Sequence, residues 1–339
     1  MKSIKFSNSC VLPEWLPEHK KEFRKESNSY FEKALMTVPL FDDIDITVTY
    51  FQAGVGSIVA KIETSDQEEY VIKTSETINQ INGEISSYLA MQDHGMSVPE
   101  IFFSGESNGI PFLVMEYFNE KTLQDLLNDK KISPEEVGVI KAESFCVSNE
   151  IKGEGFGWPI MYSNNKLSGN FDNLDSFLNN WFGNPEYIKH LNSVASDILW
   201  SDLYKENIQL VQELYSKNSS VLGSFDLQSA HFFTTNPPTF FDGSMRLEPK
   251  FFDIGSLLMP GIYNDETDEI LKSLITVYKE KNSDIDLKKI KVAVWLQSYR
   301  KAANILKTPS EERKKRAKCI IDVISTKIAL DKYISKYFV

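Results

Sequence analysis

Three stretches of this chain carry residue types at spacings that can handle phosphate and metal. The first is Phe51-Gln-Ala-Gly54-Val-Gly56-Ser57, followed by Lys73 at the end of Tyr-Val-Ile-Lys. Glycines let a backbone approach a ligand closely, and consecutive N–H groups in such a turn cradle phosphate oxygens. A lysine at a strand end reaches the same phosphates as a point charge. Taken singly, a G-x-G pair is also an ordinary hairpin turn and a strand-end lysine an ordinary solvated charge. Glu84 follows at the start of a helical stretch, where it can pair with Lys73 or serve as an acidic first-turn residue. The second stretch, Val114-Met-Glu116-Tyr-Phe118, is a β run whose backbone can offer the donor and acceptor an adenine edge requires; it can equally be a plain interdomain strand. The third runs from Asp226 through His231 and Asp242 to Asp253. Two aspartates on a β-hairpin can divide the labour: one orients or deprotonates an acceptor hydroxyl, the other holds the metal that bridges phosphates. Asp-Gly after two aromatics is also a common turn, and Asp253 fits a helix cap.

These residues need a scaffold, and the pattern supplies one. Residues 13–36 read as a charged helical lead-in. Ile46, Val48 and Tyr50 alternate with polar neighbours, and Ile58–Ile62 and Tyr70–Lys73 complete three antiparallel strands. Ile85, Tyr88 and Leu89 mark a helix face, and two further strands are expected at 100–103 and 112–116. After Phe118 the texture turns helical. Ser133-Pro134-Glu135-Glu136 combines an N-cap, a first-turn proline and a capping-box glutamate. Residues 153–170 read as loop, 174–182 and 195–216 as helices, 222–258 as short β runs, and the tail as amphipathic helices.

Composition bounds the rest. The 339 residues carry 37 basic and 48 acidic side chains, a formal charge of −11. An acidic chain of this kind is a poor general binder of nucleic acid or anionic lipid. Neither a membrane-spanning apolar run nor a secretory leader is visible. Three cysteines without CxxC spacing exclude a disulfide framework or zinc knuckle and suggest a cytoplasmic location. The oligomeric state is left open.

In this order the elements resemble the protein-kinase-like fold, and within it the small-molecule kinases of the aminoglycoside phosphotransferase and choline kinase superfamily. The resemblance runs from about Tyr50 to the C-terminus. It includes the glycine turn, Tyr-Val-Ile-Lys73, Glu84, the segment Gly95-Met-Ser-Val98-Pro99, Leu113-Val-Met-Glu-Tyr117 and the Gly155-Phe-Gly157 loop. The superfamily's catalytic loop reads His-Gly-Asp, with an asparagine five residues after the Asp. Here it is Ser224-Phe225-Asp226, with His231 at the asparagine position.

The resemblance implies an α+β, bilobal fold. Residues 1–118 would form a small lobe with the lead-in, the glycine turn, a five-stranded antiparallel sheet and one helix, and 119–339 a larger, mostly helical lobe. It implies that Gly54, Gly56, Ser57 and Lys73 bind nucleotide phosphates, that Glu84 orients Lys73 in this nucleotide site, and that the backbone of Glu116 and Phe118 holds the base. Asp226 would be catalytic, Asp242 would bind Mg²⁺, and Asp253 would be structural. His231 would be a second metal ligand in an altered form, since imidazole suits Mg²⁺ less well than a carboxamide oxygen and Mn²⁺ better. The expected activity is transfer of the γ-phosphoryl of ATP or GTP to a hydroxyl of a small molecule. An amine-bearing, aminoglycoside-like acceptor would suit the carboxylates at Asp172, Asp175, Asp197, Asp202, Asp265, Glu266, Asp268 and Glu269. The alternative is a catalytically silent, pseudokinase-type nucleotide binder. No activation segment ending in Ala-Pro-Glu is present to suggest a protein substrate.

Overall fold

The alternating strands of the first third and the helical periodicity of the rest fold into an α+β structure. The computed structural model describes residues 3–338 apart from 15, 53–56, 216–218, 225–226, 243–244, 263–266, 283 and 309. The chain divides into two units, Met1–Tyr88 with Val98–Glu120, and Leu89–Ser97 with Lys121–Val339.

The first unit contains β1 (Ile4–Phe6), α1 (Glu18–Lys25), α2 (Ser27–Leu35), β2 (Ile46–Tyr50), β3 (Ile58–Thr64), β4 (Glu69–Thr74), most of α3 (Ile78–Asp93), β5 (Ile101–Ser107) and β6 (Ile110–Glu116). The strands form one sheet in the order β1-β2-β3-β4-β6-β5. Period-2 alternation puts Ile46, Val48 and Tyr50 on the same face as Ile58, Ala60, Ile62 and Ile72, and α2 covers that face with Phe31, Ala34 and Leu35. Each fully buried Ile, Val, Leu or Phe among them contributes about 1.5–3 kcal/mol.

The sheet has six strands rather than the expected five. The extra strand, β1, pairs parallel to β2 and is only three residues long, too short for alternation to show. The buried face of α3 also differs from the expected one. Ile81, Tyr88 and Met91 are buried while Leu89 is exposed. Glu84 stands four residues before Tyr88, on that inward side, where a count of apolar residues cannot register it.

The second unit contains α4 (Leu123–Asn128), α5 (Pro134–Glu150), β7 (Lys152–Glu154), β8 (Phe156–Ser163), β9 (Lys166–Phe171), α6 (Leu174–Phe182), α7 (Pro185–Asn192), α8 (Trp200–Leu214), β10 (Ser220–Ser224), β11 (Phe232–Phe233), β12 (Thr239–Phe240), β13 (Met245–Glu248), α9 (Phe252–Ile262), α10 (Asp268–Lys281), α11 (Leu287–Leu306), α12 (Glu311–Ile324) and α13 (Lys327–Phe338). The capping box ahead of α5 forms as the sequence indicates: Ser133 Oγ accepts from the Glu136 amide, and Glu136 Oε2 from the Ser133 amide.

Residues 153–170 are not loop. They form β7, β8 and β9, which close a five-stranded barrel with β10 and β13. The glycines that suggested a loop are there because the barrel is tight. A Cβ on Gly155, where φ is +76°, would lie 2.5 Å from the Phe171 carbonyl oxygen. The helix expected from residue 195 starts at Trp200, whose indole N–H donates to the Ala195 carbonyl at 3.1 Å. No helix among the described residues is long and apolar enough to cross a membrane.

Candidate active site

Lys73 lies in β4, between β3 and β6, with Val59 and Leu113 as its cross-strand partners. It is only 3% exposed. A charge so deeply placed requires a partner, and Glu84 of α3 supplies one. Lys73 Nζ lies 2.9 Å from Glu84 Oε1 and 2.8 Å from Oε2. Tyr88, one turn further along α3, donates its hydroxyl to Glu84 Oε1 at 3.1 Å. The carboxylate is thus fixed from two sides, and the ammonium is held at a defined point beside the sheet.

Gly54 and Gly56 lie outside the described residues. Ser57 is described and is held from both directions. Its carbonyl oxygen accepts from the Arg24 guanidinium at 3.1 Å, and its hydroxyl accepts from Gln80 Nε2 at 3.3 Å. At the end of β6, the Glu116 amide donates to the Glu100 carbonyl at 2.9 Å, and Glu116 Oε2 accepts from the Glu100 amide. The N–H of Glu116 is therefore already engaged, and base recognition there would have to use other groups of the 116–118 backbone. Phe118 follows, partly buried.

In the second unit, a small β-hairpin brings His231 and Asp242 near each other. β11 and β12 pair Phe232 with Phe240, and the Phe241 amide donates to the His231 carbonyl at 2.9 Å. The His231 ring packs edge-on against Phe241, and Phe241 stacks on Phe233 with centroids 4.1 Å apart. Asp242 comes next, with φ +52°, a left-handed conformation that Asp tolerates better than most residues. Asp226 lies outside the described residues. Ser224, the last residue of β10, pairs with Met245, the first of β13.

Among the described residues no group of three or more His, Cys, Asp or Glu side chains could hold a metal by itself. The donor set nonetheless fits a phosphate-bridging ion. Mg²⁺ in such sites takes one or two carboxylates and completes its shell with phosphates and water, a part Asp242 can fill.

Asp253 is neither exposed nor a simple cap. It is fully buried, takes Asn149 Nδ2 at 2.5 Å and the Ile254 amide at 3.0 Å, and lies near Glu248. Burial first, then the neighbouring Glu248 charge, hold its carboxyl well above the usual range. Glu248, also fully buried, is raised by burial against the pull of Arg246, whose guanidinium lies 3.7 Å away. Burial pushes Arg246 down to about 9. Arg246 and Arg300 both lie over the Trp181 ring, at 4.2 and 4.3 Å. Glu248 and Asp253 pack against β10 at Gly223. A Cβ on Gly223, opposite Arg246 in the strand register, would come within 2.6 Å of Glu248 Oε1.

Reasoning from sequence missed this network, as it missed Arg24 and Gln80. An arginine two residues from a glutamate on one strand face, Arg246-Leu-Glu248, was the available signal.

The acidic clusters fare unevenly. Asp172, Asp197 and Asp202 are exposed, and Asp175 accepts from Gln212 at 2.8 Å. Asp268 is paired with Lys336 and accepts from Tyr337, and Lys336 holds its carboxyl below the usual range. Asp265 and Glu266 lie outside the described residues. Glu269, in the first turn of α10, is exposed.

No protein-family profile and no curated protein matches the sequence. Solved structures do match in shape. A thermostable mutant of aminoglycoside phosphotransferase APH(4)-Ia, in ternary complex with ADP and hygromycin B, aligns with TM-score 0.57 at 13% identity, covering 85% of this chain and 97% of that one. The GDP complex of a mutant aminoglycoside 2'-phosphotransferase-IIIa gives 0.51 at 15% identity over 91% and 98%. ADP-bound aminoglycoside phosphotransferase APH(2'')-Ib gives 0.50 at 14% identity over 86% and 96%. At such identities the likeness is one of fold: this chain has the α+β, protein-kinase-like fold of the aminoglycoside phosphotransferases.

Proposed function

We propose that the chain is a small-molecule kinase that transfers the γ-phosphoryl group of ATP or GTP to a hydroxyl of its acceptor. The observation that carries the reading is the buried Lys73–Glu84 pair. A stable fold gains little from an ion pair in such a place, because desolvating both charges offsets most of their attraction. A fixed ammonium at a strand end earns its cost when it binds phosphate. The solved structures of the same fold hold ADP in two cases and GDP in a third, which supports either purine nucleotide.

In this reading Lys73 neutralises phosphate oxygens, and Glu84, steadied by Tyr88, keeps it aimed. Asp242 holds a divalent ion, with His231 as a weaker second ligand. When bound, that ion would draw charge from the phosphates as the leaving group departs. Asp226 accepts a hydrogen bond from the acceptor hydroxyl and takes its proton as the oxygen bonds to the γ-phosphorus. The bond from the γ-phosphorus to the bridging oxygen breaks, nucleoside diphosphate leaves, and the proton passes from Asp226 to solvent. The residues contribute positioning and charge, with no covalent intermediate.

The acceptor is a hydroxylated small molecule. An amine-bearing one is favoured by the exposed carboxylates Asp172, Asp197 and Asp202, and by hygromycin B in one solved structure of this fold. A second reading, a nucleotide binder without turnover, is favoured by His231 standing where the resemblance leads one to expect asparagine. Melting of the purified protein with ATP or GTP, each with Mg²⁺ or Mn²⁺, tests nucleotide binding. A panel of aminoglycosides, amino alcohols and neutral sugars, assayed for nucleoside diphosphate release, then separates the readings. Binding without release for any acceptor supports the silent binder; no binding under any condition overturns both.

A further inference from the structure

Tyr50 and Ser57, on either side of residues 53–56, are both gripped by residues of the N-terminal segment 8–28, which precedes the kinase-like elements. On one side is Tyr50, the last residue of β2. Asn8 reads it as a strand would: Nδ2 donates to the Tyr50 carbonyl at 3.0 Å, and Oδ1 accepts from the Tyr50 amide at 2.7 Å. The Tyr50 hydroxyl donates to Asn28 Oδ1 at 2.8 Å. On the other side is Ser57, immediately before β3. Arg24 of α1 donates from Nη2 to its carbonyl oxygen at 3.1 Å, and from Nη1 to the Val11 carbonyl at 3.2 Å and to Cys10 Sγ at 3.7 Å.

Arg24 is 5% exposed, whereas its neighbour Lys25 stands in water. Long basic side chains on surface helices ordinarily keep their charge at the solvent. Turning a guanidinium inward is costly unless its donors find acceptors, and here two of those acceptors are backbone carbonyls, each fixing a point of the main chain. The hold continues past Ser57. Its hydroxyl accepts from Gln80, and Gln80 Oε1 accepts from Ser75 Oγ, two residues beyond Lys73. One line of hydrogen bonds thus links α1, the start of β3 and the end of β4. The same guanidinium also brings a permanent positive charge to the strand end.

We propose that Arg24 is a positioning residue for nucleotide phosphates: while Asn8 fixes Tyr50, Arg24 fixes Ser57 and, through Gln80, sets the start of β3 against the end of β4 that carries Lys73. The inference rests on the kinase reading above. Pre-set strand ends lower the ordering cost of gripping a triphosphate, so their loss weakens triphosphate binding and leaves contacts to the base alone. A purely structural Arg24 predicts something different: a lower melting temperature, with both parts of the nucleotide affected alike or not at all.

The test is calorimetric titration of the full chain with Mg²⁺–ATP and Mg²⁺–GTP, and with adenosine and guanosine. For the nucleotide the wild type prefers, Arg24→Met should weaken triphosphate binding about tenfold or more, while the matching nucleoside stays within about twofold. Arg24→Lys keeps one donor and the charge, and should restore part of the loss. If Arg24→Met fails to fold, Arg24→Lys and Asn8→Ala carry the same comparison, each with a smaller, triphosphate-selective loss. Equal weakening of triphosphate and nucleoside, or no weakening of either, overturns the positioning role while wild-type binding leaves the kinase reading standing. A wild type that binds no nucleotide at all overturns both.

Discussion

Glu84→Leu offers the sharpest check on the Lys73–Glu84 pair, because the structure fixes what the substitution leaves behind. Lys73 and Glu84 side chains are 3% and 10% exposed. Removing the carboxylate takes from an almost fully buried ammonium its Glu84 contacts at 2.9 and 2.8 Å. Breaking one side of a buried pair costs about 3–5 kcal/mol. With an unfolding entropy of about 2.1 cal/mol/K per residue, a 339-residue chain melting in one step would lose about 4–7 °C. The double variant Lys73→Met/Glu84→Leu replaces both charges with apolar groups and should recover much of that loss, since such exchanges are often neutral. Tyr88 loses its Glu84 acceptor in the single and the double variant alike, so that term cancels between them. Differential scanning calorimetry of the four-membered cycle, with Lys73→Met as the other single variant, should find the double variant more stable than either single one. Nucleotide titration should show no triphosphate affinity in the double variant despite its recovered stability. A Glu84→Leu protein that melts within a degree of wild type would refute the claim of a buried, mutually dependent pair. A double variant with wild-type triphosphate affinity would refute the assignment of Lys73 to phosphate.

Asp226→Asn should lower phosphoryl transfer about a hundredfold or more while nucleotide affinity holds, as followed by transfer of a labelled γ-phosphate. Asp242→Ala should instead abolish the dependence of nucleotide binding on metal, read from Mn²⁺ paramagnetic resonance; an unchanged Mn²⁺ signal would place the ion elsewhere. His231→Asn should shift the metal preference of nucleotide binding from Mn²⁺ towards Mg²⁺, and no shift would show that His231 is not a ligand. The pH dependence of stability should carry the mark of Asp253. Above the ordinary value of 3.8 the unfolded chain releases a proton that the folded protein retains, so stability declines with rising pH until the folded carboxyl also ionises. Asp253→Asn keeps the shape without the titration, and its melting temperature should fall less than that of wild type between about pH 4 and pH 8; parallel curves would show that Asp253 is ionised in the fold.

How much of this was legible in the sequence depends on element length and on what fills the inward positions. The sheet strands from β2 to β6 run five to seven residues, long enough for alternation to show. The capping box at Ser133–Glu136 is a local code that needs no tertiary context. The barrel of the second unit reads less clearly. β7 is three residues, and the longer β8 and β9 carry Gly157 and Gly169, where close-packed strands leave no room for a side chain. Read locally, that spells loop; only the closure of β7 onto β9 and β10 gives the glycines their meaning.

The same contrast runs through the site. Lys73 and Glu84 could be paired in advance because a strand-end lysine and a glutamate on the next helix are separately recognisable, although that helix starts at Ile78, six residues before Glu84, and not at Glu84 as expected. Arg24, Arg246 and Glu248 could not, because in a sequence a charged residue signals surface. Their burial depends on partners far along the chain: Ser57 for Arg24, Gln297 and Gly223 for Glu248. Those long-range partners also suggest why such residues sit next to the candidate chemistry. A buried charge tolerates few geometries, since moving it exposes an unmet donor or acceptor that costs roughly 1–3 kcal/mol or more. Apolar packing around β3 and β10 would leave these strand ends many nearly equivalent positions, while a guanidinium or carboxylate locked to backbone and side-chain partners leaves few. On the proposed reading, the cost in stability is the means by which strand ends that would meet a phosphate or a metal are held to one arrangement.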